Sequence, residues 1–144
     1  MTRLADELVG RFEGLGRALS TAEVTFDRAS PENELVIRVR PRVASSDKAD
    51  LDIAVGSEDT VVMTLGRFGL MELVASDYSA LADEVAALTE AVVEGRVKER
   101  LVTVAGKPAS SELQVALHDR TCSFNHTKFR LGRREELLLE YAAY

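Results

Sequence analysis

The sequence predicts an α+β fold in which one antiparallel sheet of about 5–7 strands packs against two main helices. Three observations lead to this prediction. Apolar residues recur at helical spacing near the N-terminus and again in the middle of the chain. Several other segments alternate apolar and polar residues with the period of two that is typical of half-buried strands. These strands follow one another in runs, which favours α+β over α/β.

Two segments are predicted to form the main helices. Within residues 3–19, the apolar side chains form one stripe, made of Leu4, Leu8, Phe12, Leu15 and Leu19. The second helix spans 77–94, with Ser76 or Asp77 as its N-cap and Gly95 at its C-terminal end. Its buried stripe is Leu81, Val85, Leu88 and Val92.

The remaining elements complete the order α-β-β-β-(β)-α-β-β-β-α. Strands are predicted at 34–43, 49–55, 60–65, 97–105, 111–118 and 121–130, with a further short strand around 23–26. Residues 68–74 fit either a fourth strand or a packed loop. Residues 133–144 are predicted to form a short final helix, with a strand as the alternative.

One hairpin register satisfies both faces of the strands at 34–43 and 49–55. It pairs Val39 with Ile53, Ile37 with Val55, Arg42 with Asp50 and Arg40 with Asp52. Opposite charges across a strand pair each contribute roughly 0.2–1 kcal/mol. The next strand then pairs Val61, Met63 and Leu65 with Val55, Ile53 and Leu51. In this register Arg38 faces Ala54 and has no acidic partner, so it is a candidate contact for a partner's anion.

Composition excludes several classes of function. The 144 residues carry 18 Lys+Arg against 24 Asp+Glu, a net charge of −6, and fit one domain, 1–144. The acidic balance argues against a nucleic-acid partner. No stretch approaches the roughly 18 apolar residues of a membrane span, and the N-terminus lacks a signal-peptide pattern. Because Cys122 is the only cysteine, a reducing compartment is favoured. We therefore expect a cytoplasmic protein without a membrane partner.

His118, Asp119, Cys122 and His126 form the strongest cluster of metal-ligating or nucleophilic residue types. A hairpin with Asp119 and Arg120 as a two-residue turn pairs Leu117 with Cys122, Val115 with Phe124 and Leu113 with His126. That hairpin places His118 on the opposite face from Cys122 and His126, and it surrounds the Cys122 thiol with apolar groups. No metal or cofactor is therefore expected here. Cys122, Asn125 and His126, with Arg38, remain the polar residues for a ligand pocket.

The C-terminal tail offers apolar residues for a partner. As a helix it would present Leu137, Tyr141 and Tyr144 on one side and Leu138 on the adjoining side. Such a tail either packs on its own sheet or is buried against a partner, where Tyr is favoured.

The predicted architecture resembles small acidic α+β domains of bacterial secretion chaperones and toxin-immunity proteins. The segment 88–99, Leu-Thr-Glu-Ala-Val-Val-Glu-Gly-Arg-Val-Lys-Glu, is similar to the helix–glycine–strand junction found in several of them. The resemblance implies a bacterial cytoplasmic protein, frequently a homodimer, that binds another protein through its sheet face or helices. It carries no catalytic residues over.

We therefore expect a non-enzymatic protein-binding module, a chaperone, adaptor or immunity-like protein with a partner that is another protein, a basic one in particular. Recognised catalytic motifs are absent and the chain has 2 His, which argues against an enzyme. The alternatives are a small ligand-binding domain or enzyme with a pocket between sheet and helices, and a structural subunit. The candidate partner-binding residues are Arg38, Leu137, Leu138, Tyr141 and Tyr144.

Overall fold

The computed structural model describes residues 3–28, 33–56, 60–66, 68–74 and 77–144. The helices in this part of the chain are α1 (Arg3–Ala18) and α2 (Tyr78–Val93). The strands are β1 (Ala22–Asp27), β2 (Leu35–Pro41), β3 (Leu51–Val55), β4 (Thr60–Leu65), β5 (Gly69–Val74), β6 (Val97–Val104), β7 (Lys107–Ala116), β8 (Thr121–Thr127) and β9 (Arg134–Glu140).

The predicted α+β class is confirmed, but the strands form two sheets instead of one. The first sheet has the order β1-β2-β3-β4-β5 and the second has the order β8-β7-β6-β9, and all the pairs are antiparallel. Strand β5 ends the first ladder and contacts β7 and β8 without pairing with them. A Cβ at Gly69 would lie 2.8 Å from Leu113 Cδ1, so glycine permits this close approach. Alternation predicts buried faces but does not choose ladder partners, which is why two sheets were missed.

Both helices bury the predicted stripes in one contiguous core shared with the two sheets, except for Leu19, which lies beyond α1 and is partly buried. Leu4, Leu8, Phe12 and Leu15 of α1 are buried, as are Leu81, Val85, Leu88 and Val92 of α2. Asp77 caps α2 as predicted, since its carboxylate accepts hydrogen bonds from the N–H groups of Ser79 (3.0 Å) and Ala80 (3.3 Å). The other predicted cap, Ser76, lies outside the described residues.

The β2–β3 register differs from the prediction by two residues. Val39 lies opposite Leu51 and Ile37 opposite Ile53, so Arg38 lies opposite Asp52. A shift of two keeps every side chain on its predicted face, and the face pattern therefore could not detect it. The β3–β4 register is as predicted, and residues 69–74 form a strand.

The β7–β8 hairpin is also shifted by two residues. Ala116 pairs with Thr121, so four residues, not two, connect the strands, and the Leu117 N–H donates to Arg120 O at 2.8 Å. Cys122 consequently lies opposite Val115, and His126 lies opposite Ser111. A turn forms at Asp119 and Arg120 as predicted, but the connection has four residues instead of the predicted two.

The predicted C-terminal helix is wrong, because residues 134–140 form strand β9 instead. This strand pairs with β6 along its length, from Lys98 opposite Glu140 to Val104 opposite Arg134. Strand β6 is a central strand, because it lies between β7 and β9, and the backbone groups on both of its edges must be paired. Strand β9 provides the second partner, and this requirement outweighs the helix propensity of the three leucines.

Candidate functional site

Strand β9 is an edge strand whose outer side is open. The N–H of Tyr141 donates to Val97 O (3.2 Å), and the N–H of Ala105 donates to Arg133 O (2.9 Å). Because alternate residues of an antiparallel strand bond to the same neighbour, the odd-numbered residues of β9 bond to β6. The backbone N–H and C=O groups of Glu136, Leu138 and Glu140 therefore point away from the sheet.

No backbone group from elsewhere in the described chain pairs with these three outward-facing residues. Beyond Glu140, the outward-facing N–H of Ala142 is paired, because it donates to Asp47 O at 2.8 Å. We call Glu136, Leu138 and Glu140 the open edge. An edge of this kind is a template for pairing with another extended segment.

The side chains of the open edge alternate acid, leucine, acid on one face. Leu138 lies opposite Arg100 and is 77% exposed. Glu140 lies opposite Lys98, with its Oε1 3.7 Å from Lys98 Nζ, and both side chains are largely exposed. An exposed leucine between two solvated carboxylates is a surface that complements a segment with the opposite charges.

A cavity of about 570 Å³ borders β9 on the sheet face that also carries Leu137 and Leu139. Its other walls come from β6 and from the segment before β3. The lining residues are Ser46, Asp47, Lys48, Ala49, Asp50, Gly66, Glu99, Leu101, Leu137, Leu139, Glu140 and Tyr141. Among these lining residues, the carboxylates outnumber the single ammonium group, which belongs to Lys48. That ammonium group donates a hydrogen bond to Val43 O at 3.0 Å. The cavity is therefore acidic.

Glu99 is the buried carboxylate of this cavity, with 2% of its surface exposed. The Tyr141 hydroxyl donates to Glu99 Oε1 at 2.6 Å, and the Ser111 hydroxyl donates to Oε2. Among the described residues, no Lys, Arg or His nitrogen lies within 4.0 Å of it. Because a buried charge is costly unless it is paired, such a carboxylate favours the approach of a cation.

The tail positions Tyr141 beside Glu99 and buries Tyr144 against the first sheet. Gly66 has φ +63°, and a Cβ there would lie 2.7 Å from the Tyr141 hydroxyl oxygen. The Tyr144 hydroxyl donates to Ala49 O at 2.5 Å. Burial, with a smaller contribution from Asp50, raises the pKa of the Tyr144 hydroxyl above its usual value. Both tyrosines are half-buried in contacts with their own chain, whereas Leu137 (46% exposed) and Leu138 remain accessible.

The arginine row on β2 pairs with acids of its own sheet. Arg38 Nη1 lies 3.5 Å from Asp27 Oδ2, so the expectation that it lacks an acidic partner is wrong. That partner comes from β1, whose place beside β2 the pattern did not predict. Arg40 Nη2 donates to Asp52 Oδ1 at 2.8 Å, and its Nε lies 3.6 Å from Asp50 Oδ2.

The three polar residues suggested for a pocket do not converge. Cys122 and His126 share one face of β8, and alternation directs the exposed Asn125 to the other. The Cys122 thiol lies 4.0 Å from Glu84 Oε1. The His126 ring stacks on Phe68 with centroids 4.4 Å apart, and its buried Nδ1 has no hydrogen-bond partner among the residues that the structure describes. No metal-binding group of His, Cys, Asp and Glu side chains forms within the described ranges.

Sequence reasoning missed Glu99 and the acidic cavity, although one signal was present. Glu99 lies between Val97 and Leu101 on the apolar face of an alternating strand, where a charged residue is unusual. The cavity itself depends on the segment 46–50 meeting β9. Sequence spacing does not predict that contact.

Comparisons with protein-family models, with curated proteins and with solved structures return no match for this chain. In the part of the chain that the structure describes, no helix has the length and apolar character needed to cross a membrane.

Proposed function

We propose that this protein is a non-enzymatic protein-binding module that accepts an extended, basic segment of another protein as an additional strand beside β9. The observation that supports this proposal is the open edge, where Glu136, Leu138 and Glu140 direct backbone groups outward that find no partner in the described part of the chain, beside an acidic cavity. In strand addition, backbone hydrogen bonds supply affinity, and pockets for alternate side chains supply specificity.

The two faces of the edge define the segment that would bind. On the exposed face, basic residues would lie opposite Glu136 and Glu140, with an apolar residue opposite Leu138 between them. On the other face, the residue opposite Leu139 would enter the cavity that Glu99 lines. A Lys or Arg side chain suits that position, because its cation is attracted to a buried carboxylate without a cationic partner.

A second copy of the chain is the competing occupant of the open edge. If two β9 strands paired antiparallel about Leu138, Glu136 of each copy would face Glu140 of the other. If they paired about Leu137, Glu135 would lie opposite Leu139 on the cavity side, beside Glu99. The first register brings carboxylate towards carboxylate, which is destabilising across strands, whereas the second also places Arg134 of each copy opposite Glu140 of the other, which is favourable. The homodimer expected from the sequence therefore remains a competing outcome. The mass of the protein in solution would show whether it forms.

Fluorescence anisotropy with two labelled peptides tests the proposal. The basic probe is Ser-Lys-Arg-Leu-Thr-Lys-Ser, and the acidic probe replaces both lysines by Glu. The protein is expected to bind the basic probe. The double variant Glu136→Lys/Glu140→Lys is expected to bind it about tenfold more weakly and to gain affinity for the acidic probe.

The matched control is Glu13→Lys/Glu23→Lys, which makes the same change in net charge at exposed positions on α1 and β1. Only the β9 variant should lose affinity for the basic probe and gain affinity for the acidic probe. Equal losses in both double variants would mean that the basic probe responds to overall charge, and strand addition at β9 would be rejected.

A small cationic ligand in the acidic cavity is the second candidate, because buried Glu99 supports it independently of the open edge. The probe for this candidate is n-butylammonium, which has the chemistry of a lysine side chain. Calorimetry showing that this cation binds as tightly as the basic peptide would favour the small-ligand function. A peptide that binds much more tightly would favour strand addition, because the cation makes no backbone hydrogen bonds.

A further inference from the structure

The connection between β8 and β9 is basic and exposes two large apolar side chains. Residues 128–134 read Lys-Phe-Arg-Leu-Gly-Arg-Arg, in a chain whose net charge is −6. Phe129 is 87% exposed and Leu131 is 83% exposed, more than any other large hydrophobic residue among those described. We call residues 128–134 the basic loop. It is separate from the cavity lined by Glu99.

Hydrogen bonds tie the basic loop to the start of β7 at alternate positions. The Lys128 N–H donates to Ala109 O at 2.7 Å, and Arg130 Nε donates to Pro108 O at 2.7 Å. Phe129 lies between these two anchored residues, and Leu131 follows them. The loop is therefore anchored against the sheet while its two apolar side chains remain in solvent.

Lys107 on β7 adds a cation to those of the basic loop at this end of the second sheet. Lys107 on β7 and Arg134 on β9 both lie opposite Val104 and so share one row of the sheet. The Arg133 side chain is 87% exposed, and its Nε lies 4.0 Å from Glu135 Oε1. A pair this exposed is worth little, so Glu135 leaves most of the positive potential in place.

We propose that the basic loop docks on an anionic lipid bilayer, with Phe129 and Leu131 entering the boundary between headgroups and acyl chains. Neighbouring Lys and Arg side chains would meet the lipid phosphates. Charge attraction combined with the burial of a few apolar side chains is the chemistry of reversible binding at a membrane surface. This proposal does not depend on the function proposed for β9.

Shape and chemistry favour a bilayer over other anionic partners. Phe129 and Leu131 protrude, and a bilayer accepts protruding apolar groups without a complementary pocket. Single-stranded nucleic acid would stack on aromatic rings, and Leu131 provides no ring. This proposal departs from the expectation of no membrane partner, which was based on the lack of spanning segments and of a signal peptide; a peripheral contact requires neither.

The chain contains no Trp, so Phe129→Trp introduces a single fluorescent reporter at the loop. The matched control is Val43→Trp, at a position that is 72% exposed and follows β2. Vesicles of phosphatidylglycerol mixed with phosphatidylcholine are expected to shift the emission of Phe129→Trp to shorter wavelength and to leave Val43→Trp unchanged. Pure phosphatidylcholine vesicles are expected to leave both unchanged.

Co-sedimentation with the same vesicles separates the apolar from the electrostatic contribution. Phe129→Ser/Leu131→Ser and Arg133→Gln/Arg134→Gln are each expected to lower the bound fraction at least about tenfold, with circular dichroism unchanged. The proposal would be overturned by emission shifts that are equal at positions 43 and 129, or by equal binding to both kinds of vesicle. Quenching of the Phe129→Trp variant by polyuridylic acid, without a response to vesicles, would assign the loop to nucleic acid instead.

Discussion

Glu99 acts through its charge, because its carboxylate is buried and, among the described residues, accepts hydrogen bonds only from the hydroxyls of Tyr141 and Ser111. Replacing Glu99 by Gln keeps the shape of the side chain and removes the negative charge. The cavity would then lose its attraction for a cation and keep its volume. The effect should therefore appear in binding to a basic segment, and only where a basic side chain enters the cavity.

A double-mutant cycle with Glu99→Gln measures this attraction. In the wild-type protein, replacing the single Arg of the basic probe by Ala should weaken binding about tenfold, as expected for a charge-assisted hydrogen bond. In Glu99→Gln the same change in the peptide should have little effect. Equal losses in both proteins would show that the Arg of the probe does not meet Glu99.

Tyr144 predicts a stability change at alkaline pH. Its pKa is raised in the folded state, so the unfolded chain loses the phenolic proton first, near pH 10. The stabilisation is complete below that pH and is lost as the pH rises towards the folded pKa, by at most about 1.4 kcal/mol per pH unit. Urea unfolding between pH 8 and 11 should show a steeper loss for wild type than for Tyr144→Phe. Parallel curves would contradict the assignment.

At the scale of elements, Gly69 joins the two sheets. A Cβ at this position would lie 2.8 Å from Leu113 Cδ1 and 2.8 Å from the backbone oxygen of Leu65. We expect Gly69→Ala to lower the free energy of unfolding by about 1–3 kcal/mol, because overpacked sites are strained. Gly14→Ala is the control, since nothing lies within 4 Å of a Cβ there. In α1 it should stabilise by about 0.5–1 kcal/mol. Denaturant midpoints that move in the same direction would contradict this account.

Period-two patterns predicted the faces of the strands but not their full pairing. Leu35, Ile37 and Val39 of β2 are buried as predicted, whereas Val43 of the predicted strand lies beyond β2 and is 72% exposed. The register of the β2–β3 hairpin is nevertheless shifted by two. The β7–β8 hairpin shows the same shift. A shift of two preserves the face of every side chain, so only loop length and neighbouring strands decide it. Both hairpin loops are longer than the sequence suggested.

The tail shows the other limit of local reasoning. Leu137 and Leu139 share the cavity-side face of β9, whereas Leu138 lies on the opposite, exposed face. Because all three residues are leucines, the alternation between buried and exposed faces does not show in the sequence. Leu137 and Leu138 could be chosen from the sequence as accessible apolar residues. The open edge beside them depends on pairing with β6, a strand more than 30 residues away along the chain.

At the scale of the whole molecule, the open edge should be sensitive to proline in a position-dependent way. The N–H of Leu138 points outward, so Leu138→Pro removes a donor that the folded chain does not use. We expect the fold to persist and the basic probe to lose most of its affinity. Leu137→Pro removes a ladder donor to β6 and should cost about 1–3 kcal/mol of stability. Thermal unfolding and anisotropy together test this. Unchanged probe binding by Leu138→Pro would exclude strand addition.

Amide hydrogen exchange measured by NMR tests strand addition at β9 most directly. In the protein alone, the amides of Leu137 and Leu139 should exchange slowly, and those of Glu136, Leu138 and Glu140 should exchange fast. Saturating basic probe should slow exchange at Leu138 and Glu140, because their N–H groups then donate to the added strand. If bound peptide leaves the Leu138 amide exchanging as fast as before, the segment does not pair with β9 and the proposed function is wrong.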